Sequence, residues 1–396
     1  MPDPLETVRD RLEAIRAEGL WKDEAVLASP QGPRLRLASG RAAINLSSND
    51  YLGLADHPAL KAAAREAMEE RGWGLASVRF ICGTQDLHKA LEARVAAYVG
   101  TEDAILFAAC FDANGALFEP LLGEGDAVVS DALNHASIID GIRLSKARRL
   151  RFANADLDAL ESRLREAREG GAELVLVATD GVFSMDGLFA PLREMRALCD
   201  RWGALLMVDD CHATGLVGPE GRGTGPRAGV RPDIVTGTFG KALGGALGGF
   251  VAGPRAVVDL LRQRGRPYLF SNALPPAVTA AALAAIDLAE GPEGEARRAR
   301  LHANARRWRE GLSAAGFELI PGEHPIVPVM LGEAGTAQAM ARALMDRGVL
   351  APGFFFPVVP RGAARIRTQM SAAHSEADLA EALAAFESAA QEAGLR

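Results

Sequence analysis

The chain has 396 residues, of which 48% are hydrophobic, and a formal net charge of −7. That length exceeds the size at which a single core stops growing, so a large domain with a smaller companion is expected. The acidic balance argues against a nucleic-acid partner. No apolar run reaches the ~18 residues that span a bilayer, so no membrane partner is expected. The acidic, helical start MPDPLETVRDRLEAIRAEG lacks the pattern of a signal peptide.

In chain order, Leu5, Val8, Leu12 and Ile15 form a helical stripe, read with the rest of 1–48 as an N-terminal helix and arm. From residue 58 helix-like stretches (58–70, 84–99, 136–146, 156–168 and 192–202) alternate with short apolar runs. The runs are DAILFA (103–108), DAVVS (126–130), ELVLVATD (173–180), ALLMVDD (204–210), DIVTGTF (233–239) and GGFVAG (248–253). Continuous apolar runs suit strands buried on both faces, and their alternation with helices implies a mostly parallel α/β sheet. This large domain is expected over 49–290. A long helix (295–315), strand-like 326–331, a helix at 336–347, RIRTQ (365–369) and a terminal helix make 291–396 a smaller α+β domain. Cysteines at 82, 110, 199 and 211 show no CxxC spacing, which fits reduced thiols and a cytoplasmic location.

Ligands of open α/β sheets bind beyond the carboxyl ends of the strands. The segments there are CFDANG (110–115), SDALNHAS (130–137), TDGVFSMDG (179–187), DDCHATG (209–215) and TFGKALGG (238–245), all polar and glycine-bearing. Lys241 stands out among them. A phosphate loop of the form GxxxxGK[ST] would need glycine at 235 and Ser or Thr at 242, where the chain has Val235 and Ala242. The alternative is the carbonyl chemistry of an amine, a lysine that holds pyridoxal phosphate covalently. That cofactor needs a carboxylate opposite its pyridine nitrogen, donors to its phosphate and a flat stacking partner. Asp209 can supply the carboxylate. His212 and Ser184 can reach the ring hydroxyl, and His135 can stack. The helix start at CFDANG and Thr238 can hold phosphate, while Gly240 and the glycines after it leave room at Lys241. Asp209, Asp210, Cys211 and His212 are also metal-ligand types. Neighbouring strand residues alternate sides, however, and no partner cluster has ligand spacing, so no metal is expected.

From SSNDYLGL (47–54) to RIRTQMSAAH (365–374) the chain resembles the α-oxoamine synthases, pyridoxal-phosphate enzymes of the aspartate-aminotransferase fold, fold type I. ASVRFICGTQDLHKALE (76–92), FDANG, DALNHASIIDG, DGVFSMDG, RQRGRPYLFSN (262–272) and GFFFPVVP (353–360) carry the resemblance. It is strongest to members that condense glycine with acetyl-CoA, or run in reverse during threonine breakdown. Members that join alanine to pimeloyl-CoA are the nearest rivals, and a single enzyme with both activities or a non-catalytic binder of the cofactor is a further alternative. The resemblance implies that Lys241 bonds the cofactor aldehyde, Asp209 pairs with the pyridine nitrogen and His212 with the ring oxygen. His135 would stack on the ring and face substrate. Backbone groups of Cys110 and Phe111, with Thr238, would hold the phosphate. Ser271 and Asn272 would reach the phosphate of a neighbouring subunit in a homodimer with shared sites. Arg367, with Asn49 nearby, would grip the carboxylate of the amino acid. Cys211 departs from the serine or alanine expected at its position.

Overall fold

The carboxyl-end loops are arrayed by one sheet. The computed structural model describes residues 3–394. In it β1 (Asp103–Phe107), β2 (Ala127–Asp131), β3 (Arg148–Phe152), β4 (Val175–Asp180), β5 (Leu205–Asp209), β6 (Ile234–Thr238) and β7 (Gly249–Gly253) pair in the order β1-β7-β6-β5-β4-β2-β3. The strands β6, β5, β4, β2 and β3 are mutually parallel. Strand β7 is antiparallel to both of its neighbours, so its first residue, Gly249, lies beside Phe107 and Thr238 at the ends of β1 and β6.

The uninterrupted apolar runs have a simple cause. Val175, Val177, Leu206 and Val208 pack into one core with Leu160, Leu164 and Met195, while Leu176, Ala178, Met207 and Ile234 enter another with Ala113, Leu117 and Ile138. Successive side chains point to opposite faces, and both faces are covered. Strand β3 was not read from the sequence. Its RRLRF buries only Leu150 and Phe152, the alternation of an edge strand with one open side.

Helices Asp86–Val99, Cys110–Leu121, Ala136–Leu144, Leu157–Glu169 and Leu192–Trp202 cover the sheet, and Pro58–Arg71 packs on Pro276–Glu290. Their ends follow local chemistry. The expected helix at 84–99 starts at Asp86, where the His88 ring accepts the Gln85 backbone N–H, and Gly100 stops it at φ 76°. Asp156 accepts the Ala159 N–H at the start of Leu157–Glu169.

Two compact units divide the chain. The larger comprises Asn49–Ser184 and Leu188–Arg300. The smaller takes the residues up to Ser48, Met185–Gly187 and those from Leu301 onward. The chain passes between them inside the helix Pro292–Ala314, ten residues beyond the boundary read from the sequence. The segment 1–48, read as a separate arm, shares the smaller unit with the C-terminal residues. Pairing of Ala42–Asn45 with Arg34–Arg36 and with Val349–Leu350 is the reason. The smaller unit's second sheet joins Ile326–Gly332, Ala364–Gln369 and Gly353–Phe354, all antiparallel, backed by Ala334–Asp346. Its first helix, Glu6–Ala17, carries the stripe Leu5, Val8, Leu12 and Ile15 on exposed positions.

Candidate active site

Lys241 follows β6 in the turn that reverses the chain into β7. The glycines of this turn serve the backbone first. Gly248 has φ 108°, a conformation that side chains disfavour. A Cβ at Gly237 would sit 2.3 Å from the Phe250 ring. Turn geometry thus requires Gly248, and close packing requires Gly237 on β6.

The ε-amine of Lys241 lies 2.9 Å from Nε2 of His212, and Nδ1 of His212 lies 2.8 Å from the hydroxyl of Tyr51. An ammonium can only donate, so it directs Nε2 to accept and leaves the Nδ1 hydrogen for the tyrosine oxygen. Tyr51 is fully buried, and its ring meets that of His212 edge-on at 6.1 Å. The role of Tyr51 was missed in the sequence. It lies inside NDYLGL, far along the chain from the strand ends, and nothing local marks it.

Asp209 ends β5 and is buried. Its Oδ2 accepts from the Asn114 amide at 2.6 Å and from the Cys110 thiol at 3.8 Å, and its Oδ1 accepts from the Cys211 N–H at 2.9 Å. Such donors offset the cost of burying a carboxylate. Ligand atoms of Cys110, Asp209 and Cys211 lie within 4.8 Å of one another. This grouping was invisible in the sequence, because Cys110 arrives from another strand end. Both thiols are held well protonated. Their mutual hydrogen bond is the largest influence, raising Cys211 and lowering Cys110, while burial and the Asp209 charge raise both. That opposes loss of the protons a metal would need displaced.

Two further carboxyls crowd the same strand ends. Asp180 stands opposite Asp209 in register, and burial, reinforced by the Asp209 charge, raises it well above the usual carboxylate range. Asp210 is pushed up to about 7, chiefly by burial. Its oxygens meet Thr224 through the backbone N–H at 2.9 Å and the hydroxyl at 2.5 Å.

His135 begins the helix Ala136–Leu144. Its backbone N–H donates to Asp180 at 2.7 Å, and its ring Nδ1 lies 2.7 Å from the Ser137 hydroxyl and 3.2 Å from the Ser137 N–H. The ring of Phe111 meets it edge-on at 6.5 Å. One side of His135 is open to solvent, yet burial of the rest lowers its pKa, opposed by Asp209 and reinforced by Lys241.

The helix Cys110–Leu121 starts after Ala109, which has no side chain to cap it. The first N–H groups of such a helix favour an anion. Gly249 crosses directly beneath, where a Cβ would lie 2.3 Å from the Cys110 nitrogen. Thr238 is already engaged. Its hydroxyl donates to the Gly248 carbonyl at 3.1 Å and accepts from the Gly240 N–H at 3.0 Å. Ser184 lies half-buried beyond β4. Ser271 and Asn272 occupy a segment pairing with Val78, on a cavity of about 690 Å³ also lined by Trp73, Leu75 and Ala108. Asn49, at the start of the larger unit, has a buried Oδ1 with no hydrogen-bond partner among the described residues.

Arg367 belongs to the smaller unit, on the strand Ala364–Gln369. Its guanidinium lies 4.7 Å over the Phe354 ring and 4.0 Å from the Met185 sulfur. Arg365, two residues earlier, is paired with Asp186 at 2.5 Å.

These residues fit the expected cofactor. An uncapped helix start over Gly249 suits a phosphate, Asp209 is a buried carboxylate held by donors, and Lys241 is an amine beside a histidine. The orphaned Asn49 oxygen also awaits a donor.

The chain belongs to the aminotransferase class I and II family, which it matches over residues 41–386. It is 57% identical over 377 residues to 2-amino-3-ketobutyrate coenzyme A ligase of Escherichia coli K12, covering 95% of this chain and 94% of that protein. It is 46% identical to 8-amino-7-oxononanoate synthase of Geobacter sulfurreducens, covering 98% and 99%. A solved serine palmitoyltransferase from S. paucimobilis, with PLP bound, superposes over 100% of both chains at a TM-score of 0.93 and 32% identity. The fold is thus that of the fold-type-I pyridoxal-phosphate enzymes, with a mixed sheet whose central strands are parallel.

Proposed function

We propose that the protein is a glycine C-acetyltransferase, a 2-amino-3-ketobutyrate CoA ligase. It condenses glycine with acetyl-CoA to 2-amino-3-oxobutyrate and CoA, or cleaves that product with CoA in threonine breakdown. The observation that carries the reading is 57% identity across almost the whole length of a ligase of that name. The strand-end cluster of the larger unit supports it chemically.

Bound pyridoxal phosphate supplies a pyridinium that draws electrons and so acidifies the Cα proton of the amino acid. The residues do the rest. Lys241 would hold the cofactor at Nζ, and its amine, when free, would take the Cα proton of glycine there. His212 holds that amine and reaches the ring oxygen, and Tyr51 fixes His212. Asp209 keeps the pyridine nitrogen protonated. The helix start at Cys110 and Phe111 binds the phosphate through backbone N–H groups. Thr238 would add its hydroxyl to the phosphate, and Ser184 would serve the ring hydroxyl. Arg367 binds the glycine carboxylate, which a planar guanidinium matches with two parallel hydrogen bonds, with Asn49 assisting. His135 would face the ring and donate to the oxyanion that develops on the thioester carbonyl. Ser271 and Asn272 serve the phosphate of the neighbouring subunit's site in a homodimer. Free thiols at all four cysteines are in keeping with a cytoplasmic home.

Initial rates of CoA release, with glycine or alanine against acetyl-CoA or pimeloyl-CoA, test the reading. Glycine with acetyl-CoA should exceed alanine with pimeloyl-CoA by at least about tenfold, the scale on which one methyl group discriminates. The reverse preference would assign the alanine reaction instead.

A further inference from the structure

The hydrogen bonds joining Asp209 to His135 have only one consistent direction. An ionised Asp209 is an acceptor only, so the atom of Asn114 lying 2.6 Å from it is the amide nitrogen. Turning the amide over would set its oxygen against the carboxylate. The same nitrogen lies 2.9 Å from the Ser137 hydroxyl, so its second hydrogen goes there and Ser137 Oγ accepts it. The Ser137 hydroxyl hydrogen then faces His135 Nδ1 at 2.7 Å. The Ser137 backbone N–H aims at the same ring nitrogen from 3.2 Å. An N–H cannot point at an N–H, so Nδ1 carries no hydrogen and the imidazole keeps its proton on Nε2.

We infer that Asn114 and Ser137 are positioning residues that relay the Asp209 charge to His135 and fix it as the neutral Nε2–H tautomer. Both are buried, with Asn114 fully enclosed in the helix Cys110–Leu121 and Ser137 in the first turn of Ala136–Leu144. The two helices pack tightly enough for this. A Cβ at Gly141 would sit 2.4 Å from the Asn114 carbonyl oxygen, so only glycine admits the approach. The ring is fixed on two other sides, by its backbone N–H on Asp180 and by the edge-on Phe111.

The consequence for chemistry is specific. With Nδ1 committed, the polar edge left to His135 is a donor, Nε2–H, suited to an oxygen that gains negative charge and unsuited to proton abstraction. One carboxylate thereby serves two ends: the ring nitrogen of the cofactor directly, and the donor edge of His135 through two neutral side chains. The use of that donor edge in catalysis rests on the proposed function, whereas the tautomer itself does not.

The test is therefore spectroscopic. The enzyme as purified, labelled with ¹⁵N-histidine, has seven histidines to resolve, and His135→Gln identifies the resonance by its loss. Long-range ¹H–¹⁵N spectra without substrate should show His135 as Nε2–H with an accepting Nδ1. In Ser137→Ala the Nδ1 resonance should move towards that of an unbonded ring nitrogen, and Ser137→Thr should restore it. In the proposed reaction Ser137→Ala should lower kcat by about five- to tenfold, the value of one hydrogen bond, with the glycine KM little changed. An Nδ1–H tautomer in the wild type, or a His135 spectrum unaltered by Ser137→Ala, would overturn the inference. Unaltered spectra would do so even if another amino acid proved to be the substrate, and an inactive glycine reaction with the expected spectra would count against the function alone.

Discussion

The strand ends of the larger unit and the strand Ala364–Gln369 of the smaller unit treat buried charge in opposite ways. In the larger unit, Asp209 is surrounded by neutral donors, and the neighbouring carboxyls Asp180 and Asp210 are pushed towards their protonated forms. Charge at these strand ends rests on single groups, Lys241 and Asp209, and is steered by hydrogen bonds. In the smaller unit, Arg365 is paired directly with Asp186, and Arg367 is laid on the face of Phe354. A guanidinium keeps its proton in any such setting and can be backed by a ring without losing its donors. The contrast separates the work. On the proposed function, the groups whose protonation must change sit where neighbours can tune them, and the arginine proposed to recognise an anion sits on a plain strand.

Lys241 gives the largest expected effect. Lys241→Ala should lower condensation by about a thousandfold or more, the upper range for a general base, and abolish the visible absorbance of the bound cofactor. A variant turning over at the normal rate would remove the lysine from the chemistry. Arg367→Ala should behave differently. It should raise the glycine KM by about ten- to hundredfold, as expected for loss of hydrogen bonds to a charged group, while the acetyl-CoA KM stays nearly constant. A rise confined to acetyl-CoA would place Arg367 on the other substrate.

Asp210 yields a smaller effect, on stability. Its folded pKa of about 7 lies above the ordinary carboxylate value. The folded form therefore holds a proton that the unfolded chain gives up. The stability this proton contributes is fully present below about pH 4 and is lost as pH rises through about 7, at up to ~1.4 kcal/mol per pH unit. Asp210→Asn keeps a donor for the Thr224 hydroxyl and an acceptor for its N–H. Denaturation midpoints between pH 5 and pH 8 should fall less in the variant than in the wild type. An equal fall would place the titrating group elsewhere.

The sheet was legible because doubly covered strands must be apolar throughout, and the site residues because polar groups and glycines follow each run. Edge strand β3 was not, since RRLRF carries the arginines of a half-exposed strand. Tyr51, Asn114 and Ser137 were within reach only as letters of quoted segments. Each acts on a residue distant in the chain, and pairings such as Asn114 with Asp209 are made by folding alone. A sequence alone does not distinguish a glycine needed for its φ, such as Gly248, from one needed for space.

On the proposed function the larger unit labilises the Cα proton of glycine through Lys241. Proton NMR of glycine in deuterium oxide, with enzyme and no acyl-CoA, tests it most directly. The wild type should replace the Cα hydrogen with deuterium, and Lys241→Ala should do so at least about a hundredfold more slowly. Exchange at the wild-type rate in Lys241→Ala, or none in the wild type, would contradict the account.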